Sequence, residues 1–187
     1  MMRRFLVSVV FLALAIGLAG CAARSYSNVF MVNPDAPYRL GSGDRLRIIV
    51  FGQDSLSNSY AVDGSGNIAM PLIGVVAARG LTTESLARSI AARLRNGYLR
   101  DPQVSAEVEA YRPFFILGEV VTPGQYPYIY GMTAQTAVAV AGGFTPRAYK
   151  QTVDLTRVID GRLVTGPVPV TQPIRPGDTV VVHERYF

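Results

Sequence analysis

With 187 residues, 49% of them hydrophobic and 17% charged, the chain has the composition of one ordinary domain or two small ones and not that of a disordered segment. The formal charge of +5 drops by two once Arg3 and Arg4 leave with an N-terminal signal. The remaining arginines are scattered, which speaks against a nucleic-acid footprint, since that needs a clustered stripe of cations.

The chain begins "MMRRFLVSVVFLALAIGLAGC", a short cationic start, an apolar run over residues 5–18 and then small residues. The run falls short of the ~20 residues that a spanning helix needs but suits the core of a signal peptide. Leu18-Ala19-Gly20-Cys21 resembles the lipobox of bacterial lipoproteins. That resemblance implies that residues 1–20 are removed and that Cys21 becomes the acylated first residue. Neither Ala22 nor Ala23 is the Asp that marks inner-membrane retention in lipoproteins, so it also implies the periplasmic face of the outer membrane. Cys21 is the single cysteine, which rules out an intramolecular disulfide. Residues 21–37 are polar, contain two prolines and lack a hydrophobic period, as a tether would.

Order is expected from Tyr38 onward. Gly41-Ser42-Gly43-Asp44 makes a turn, and "RLRIIVF" alternates Leu46, Ile48 and Val50 as a half-buried strand does. "YAVDGSGNIAMPLIG" predicts two strands paired as a hairpin around Asp63-Gly64-Ser65-Gly66-Asn67. In "LTTESLARSIAARLRNGYL", Leu86, Ile90 and Leu94 predict an amphipathic helix capped by Thr82 and stopped at Gly97. Val104, Ala106 and Val108 alternate in the strand that follows. Arg112-Pro113 marks a boundary between residues 38–111 and 112–187. Beyond it come two strands joined at Pro123-Gly124, a short helix from Thr133 to Gly142-Gly143 and a hairpin at Asp160-Gly161. An irregular stretch over residues 165–176 and the closing strand "DTVVV" complete the chain. Both halves read as α+β, the second with a β-grasp-like packing.

No catalytic constellation stands out. The only histidine, His183, excludes a histidine-rich metal site and reads as a surface residue of the last strand. Gly41-x-Gly43 lacks the preceding strand and third glycine of a dinucleotide fingerprint. Asp63–Asn67 lacks the glutamate that a calcium loop requires, and Glu107 and Glu109 read as a solvated strand face. Tyr126, Tyr128 and Tyr130 alternate along one predicted strand face, where they would pack on the core, fill a subunit interface or stack on sugar rings; the pattern leaves all three open. Asp44 and Asp178 each follow a glycine at a strand entrance, where a carboxylate accepts backbone N–H bonds and fixes the turn. Replacing either by Ala is expected to loosen assembly more than folding.

Taken together these phrases resemble the bacterial polysaccharide export proteins. Tyr38, Gly43-Asp44, Leu46, Val62, Asp63-Gly64, Pro71, Gly74, Gly80 and Thr82 follow the pattern of that family's N-terminal domain, with Ser65-Gly66 enlarging one turn. Ile116-Leu117-Gly118-Glu119-Val120 and Pro123-Gly124-Gln125-Tyr126 are similar to its soluble-ligand-binding β-grasp (SLBB) domain. The resemblance implies a non-enzymatic, cofactor-free component of a capsular or exopolysaccharide export channel. It implies an oligomeric ring at the outer membrane, working with an inner-membrane copolymerase. Gly43, Asp44, Gly118, Glu119, Pro123, Gly124 and Asp178 would then shape turns and subunit contacts. Longer members continue into a further β-grasp domain and a pore-lining helix. "VVVHERYF" is expected to be a finished edge, and a separate outer-membrane β-barrel to supply the exit. The rival expectation is a lipid-anchored, monomeric glycan- or ligand-binding module.

Overall fold

The computed structural model describes residues 30–31 and 36–185. The expected signal peptide, Cys21 and residues 186–187 lie outside the described residues. In the first half, β1 (Arg45–Val50) runs between β2 (Asn58–Ala61) and β5 (Val104–Ala110), antiparallel to both. Its alternation is strict: Leu46, Ile48 and Val50 are buried while Arg45, Arg47 and Ile49 face outward. Helix α1 (Thr83–Arg95) lays Leu86, Ala87, Ile90 and Leu94 on the buried face. The Thr82 hydroxyl accepts from the Ser85 N–H at 3.2 Å, satisfying a donor the first helical turn leaves open.

The expected hairpin around Asp63–Asn67 forms differently. Strand β3 (Asn67–Met70) pairs not with β2 but with β4 (Gly74–Ala77), as a separate two-stranded ribbon. The end of β2 is already engaged by the Gly-Asp turn: Val62 N–H donates to the Asp44 carbonyl, and Gly43 N–H to the Val62 carbonyl, both at 2.9 Å. The tight turn at residues 63–67 then carries the chain away.

The second half is a five-stranded mixed sheet in the order β7-β6-β10-β8-β9. Its strands are β6 (Phe114–Gly118), β7 (Gly124–Tyr126), β8 (Thr152–Ile159), β9 (Arg162–Pro169) and β10 (Thr179–Val182). Helix α2 (Ala134–Val140), held by a Thr133/Thr136 capping box, contributes Ala134, Ala137 and Val138 to the core on one face. The sheet with its crossing helix makes this an α+β fold of β-grasp type.

Two expectations change here. β9 continues through Pro167 to Pro169, because an edge strand has one side on which a missing N–H breaks no ladder. β10 is not an edge: it lies between β6, parallel to it, and β8, antiparallel. Val180 and Val182 are fully buried there, as a central strand requires.

The stretch read as a tether also holds a core residue. Phe30 is 1% exposed and belongs to the second half's hydrophobic cluster, although residues 38–110 intervene in the chain. A lone aromatic carries no period by which sequence reading could place it. Among the described residues no helix is long and apolar enough to cross a membrane.

Leu155→Ala, in the centre of β8, should lower the unfolding free energy by about 2–5 kcal/mol in urea titration, while the exposed Leu163→Ala should stay within about 0.5 kcal/mol.

Candidate functional site

The two Gly-Asp phrases fold into the same device. In the first, the backbone turn closes from Asp44 N–H to the Gly41 carbonyl at 3.2 Å, and Asp44 Oδ2 accepts from Gly41 N–H at 2.7 Å. In the second, Asp178 N–H reaches the Arg175 carbonyl at 3.1 Å, and Asp178 Oδ2 accepts from Arg175 N–H at 2.7 Å. Gly43 and Gly177 supply the left-handed backbone that both turns need, with φ of 92° and 84°. Both carboxylates are buried, Asp44 at 0% and Asp178 at 1% exposure, and each has an arginine. Arg157 grips Asp178 with a two-pronged fork, Nε to Oδ1 at 3.0 Å and Nη2 to Oδ2 at 2.6 Å. Arg112 meets Asp44 through its backbone N–H at 2.9 Å and its guanidinium at 3.3 Å.

Arg112 is also where the halves meet. Its guanidinium donates to the Tyr38 hydroxyl at 2.8 Å, and that hydroxyl donates to Asp44 Oδ2 at 2.7 Å. Burial, reinforced by the hydrogen bond to Asp44, holds the Tyr38 phenol above its ordinary pKa, so it stays a neutral donor. The side chain then runs between the two turns: a Cβ on Gly41 would lie 2.3 Å from Arg112 Nη1, and one on Gly177 2.9 Å from Arg112 Nε. Gly177 N–H closes onto the Pro113 carbonyl at 3.0 Å. Rings complete the joint, with Tyr111 edge-on to Tyr38 at 4.9 Å and to Tyr128 at 5.5 Å. Sequence reading marked Arg112 as a boundary and missed its role, and it missed Arg157 and Tyr111 altogether; each meets partners far away in the chain.

Asp44 and Asp178 are both buried, and removing either would leave an arginine without its partner and backbone donors without an acceptor, which costs folding stability. Gly118 is fixed by close approach, since a Cβ there would stand 2.1 Å from the Val182 carbonyl oxygen of the neighbouring parallel strand. Glu119 ties that strand end to the loop after α2, accepting from the Thr145 hydroxyl while its carbonyl accepts from Thr145 N–H at 3.1 Å. Pro123 and Gly124 sit at the turn into β7, and Gly124 has only the Tyr126 ring, at 3.9 Å, near a would-be Cβ.

The three tyrosines do not share a strand face. β7 ends at Tyr126, and Pro127 follows without an N–H to continue the ladder. Tyr126 stacks on Phe114 at 6.0 Å with its hydroxyl on the Thr122 carbonyl. Tyr128 enters the joint and donates to the Ile174 carbonyl at 3.2 Å, and Tyr130 is exposed. A further feature went unread: Leu72, exposed at the β3–β4 turn, has φ of 68°, a conformation costing a branched residue about 1–2 kcal/mol.

The profile of the polysaccharide biosynthesis/export protein family matches residues 32–109, and that of the SLBB domain residues 113–168. Among curated proteins, the exopolysaccharide production protein ExoF of Rhizobium meliloti is 36% identical over 138 residues, 67% of this chain and 32% of that protein. The EPS I polysaccharide export outer membrane protein EpsA of Ralstonia nicotianae is 30% identical over 183 residues, 80% and 48% of the two chains. The polysialic acid transport protein KpsD of Escherichia coli is 26% identical over 165 residues, 82% and 29%. The chain thus spans less than half the length of these relatives. It belongs to the bacterial polysaccharide export proteins, with an export domain followed by an SLBB domain.

Arg112→Ala should cost about 2–4 kcal/mol, the low side for a buried pair because Arg112 reaches solvent, and Asp178→Ala about 3–5 kcal/mol; urea midpoints unchanged from the parent would contradict this. Leu72→Gly should raise the melting temperature by releasing strain, and calorimetry showing a fall would contradict that.

Proposed function

We propose that the chain is a lipid-anchored subunit of a capsular or exopolysaccharide export channel, held at the periplasmic face of the outer membrane through acylated Cys21. Copies assemble into an oligomeric conduit that hands polymer from an inner-membrane copolymerase to a separate outer-membrane β-barrel. In this reading residues 38–111 and 112–187 are the two modules of each subunit.

The observation that carries the assembly is the uncovered face of the five-stranded sheet. Phe115 and Leu117 on β6, Val158 on β8 and Leu163 on β9 are exposed there. Strand pairing sets Thr179, Val181, Thr156 and Thr165 among them. Asp154 on the same face is paired with His183 at 2.9 Å. An apolar and threonine-rich face of this kind is what subunit contacts cover. The Arg112 joint supports the same reading, because a closed ring needs a fixed angle within each subunit.

A second reading, a monomeric glycan-binding module, draws on a cleft of about 280 Å³ whose lining includes Pro37, Tyr38, Thr82, Glu107 and Tyr111. Light scattering on the acylated chain in detergent and on the lipid-free chain separates the two. Assembly predicts a mass above the monomer in detergent, reduced to the monomer by the pair Leu117→Glu and Leu163→Glu without a change in urea midpoint. A strict monomer in both preparations, with micromolar glycan affinity, would favour the binding module. Deleting the gene should remove polymer from the medium, and its persistence there would contradict an export role.

A further inference from the structure

Phe30 does more than fill space in the second module. Its backbone carbonyl accepts from Gln172 Nε2 at 2.7 Å and from Arg157 Nη1 at 3.3 Å. Both donors are buried and held in place: Arg157 by its fork on Asp178, Gln172 beside the Pro173 carbonyl, which takes Arg157 Nη2 at 3.2 Å. The Phe30 ring lies over Gly166 of β9, where a Cβ would stand 3.1 Å from the ring carbon Cε2 and meet no other group among the described residues. The sheet therefore leaves one side chain out at the place where the ring rests. The next residue, Met31, is exposed. A buried arginine and a buried amide aimed at one peptide carbonyl, beside a space shaped by a glycine, form a site for an aromatic residue and its peptide group.

We propose that Gly166, Gln172 and the Asp178-braced Arg157 form a peptide-docking site of the SLBB module, occupied in cis by Phe30, and that this latch sets how far the module stands from the membrane. The second clause rests on the reading of Cys21 as the acylated residue. Phe30 lies nine positions after Cys21. A fully extended chain of that length spans roughly 30 Å, so the latch holds the docking site within that distance of the acyl chains. It is therefore the SLBB module that is tied to the membrane first, and the export domain, reached again at Tyr38, is carried by it. Without the latch the first attachment point would be Tyr38, seventeen positions from Cys21, with roughly twice the reach.

Gly166→Val tests the site selectively. It adds a β-branched residue to a strand, where such residues are favoured, and its Cβ meets only Phe30. The full chain would be digested briefly with chymotrypsin, comparing cleavage after Phe30 with cleavage after Phe51, which is 82% exposed. In the parent, cleavage after Phe30 should be at least tenfold slower than after Phe51. In Gly166→Val the two should approach one another while the Phe51 rate stays constant, showing that the first module is still folded. Equal rates in the parent, or continued protection in Gly166→Val, would overturn the docking site. The spacing is read separately by energy transfer from a fluorophore at the exposed position 150 to a dye in phosphatidylethanolamine–phosphatidylglycerol vesicles carrying the acylated chain. Transfer should fall in Gly166→Val; an unchanged value would overturn the latch as a spacer. Metabolic labelling with palmitate reports on Cys21 by itself. Protection of Phe30 without labelling would leave the docking site standing and overturn the spacing role.

Discussion

One ion pair, on a buried carboxylate, organises the molecule. Asp44 is fully enclosed and takes four donors: Gly41 N–H, the Tyr38 hydroxyl, Arg112 N–H and the Arg112 guanidinium. A buried carboxylate persists only when its partners are in place, so the turn, the end of β5 and the start of the second module must form together. Because Arg112 also lies against Gly177, the same contact that closes the first module fixes the second beside it. The turn at Asp178 repeats the arrangement with Arg157, and Arg157 extends it to the Phe30 carbonyl. A run of paired charges thus passes from one module to the other and on to the segment that precedes both.

For the proposed channel this arrangement would have a direct consequence. A subunit of such a ring would have to present its contact surfaces at a constant angle, and a flexible linker between small domains would not do so. Here Phe30 belongs to the second module's core and Tyr38 packs on the first's, and the chain passes to the second module again at Arg112-Pro113, with Tyr38 and Tyr111 in ring contact. The uncovered face of the five-stranded sheet is therefore displayed in a fixed direction relative to the export domain. Leu72 is displayed likewise, at the tip of a ribbon whose strained backbone holds it outward.

Much of this was legible in the sequence, for local reasons. Leu46, Ile48 and Val50 announce a strand through their period, α1 announces itself through Thr82 and its leucine spacing, and Asp160-Gly161 dictates a tight hairpin. The turn role of Asp44 and Asp178 could be read because it uses donors three residues away. What escaped was non-local. Arg112 acts on a carboxylate sixty-eight positions back, and Phe30 docks into residues more than a hundred positions ahead. The partner of β3 was misread because an unseen hydrogen bond from Val62 to Asp44 had already engaged β2. β10 looked like an ending because it comes last, yet order in the chain does not fix order in a sheet. The tyrosines looked like one face because alternation was counted through Pro127.

The claim on which the rest depends is that Arg112 makes the two modules one rigid body. Residual dipolar couplings of the lipid-free mature chain measure this directly, because each rigid unit reports its own alignment tensor. A single tensor should fit the amides of both sheets in the parent, and separate tensors should be needed once Arg112 is replaced by alanine. Two unrelated tensors in the parent protein would contradict the account.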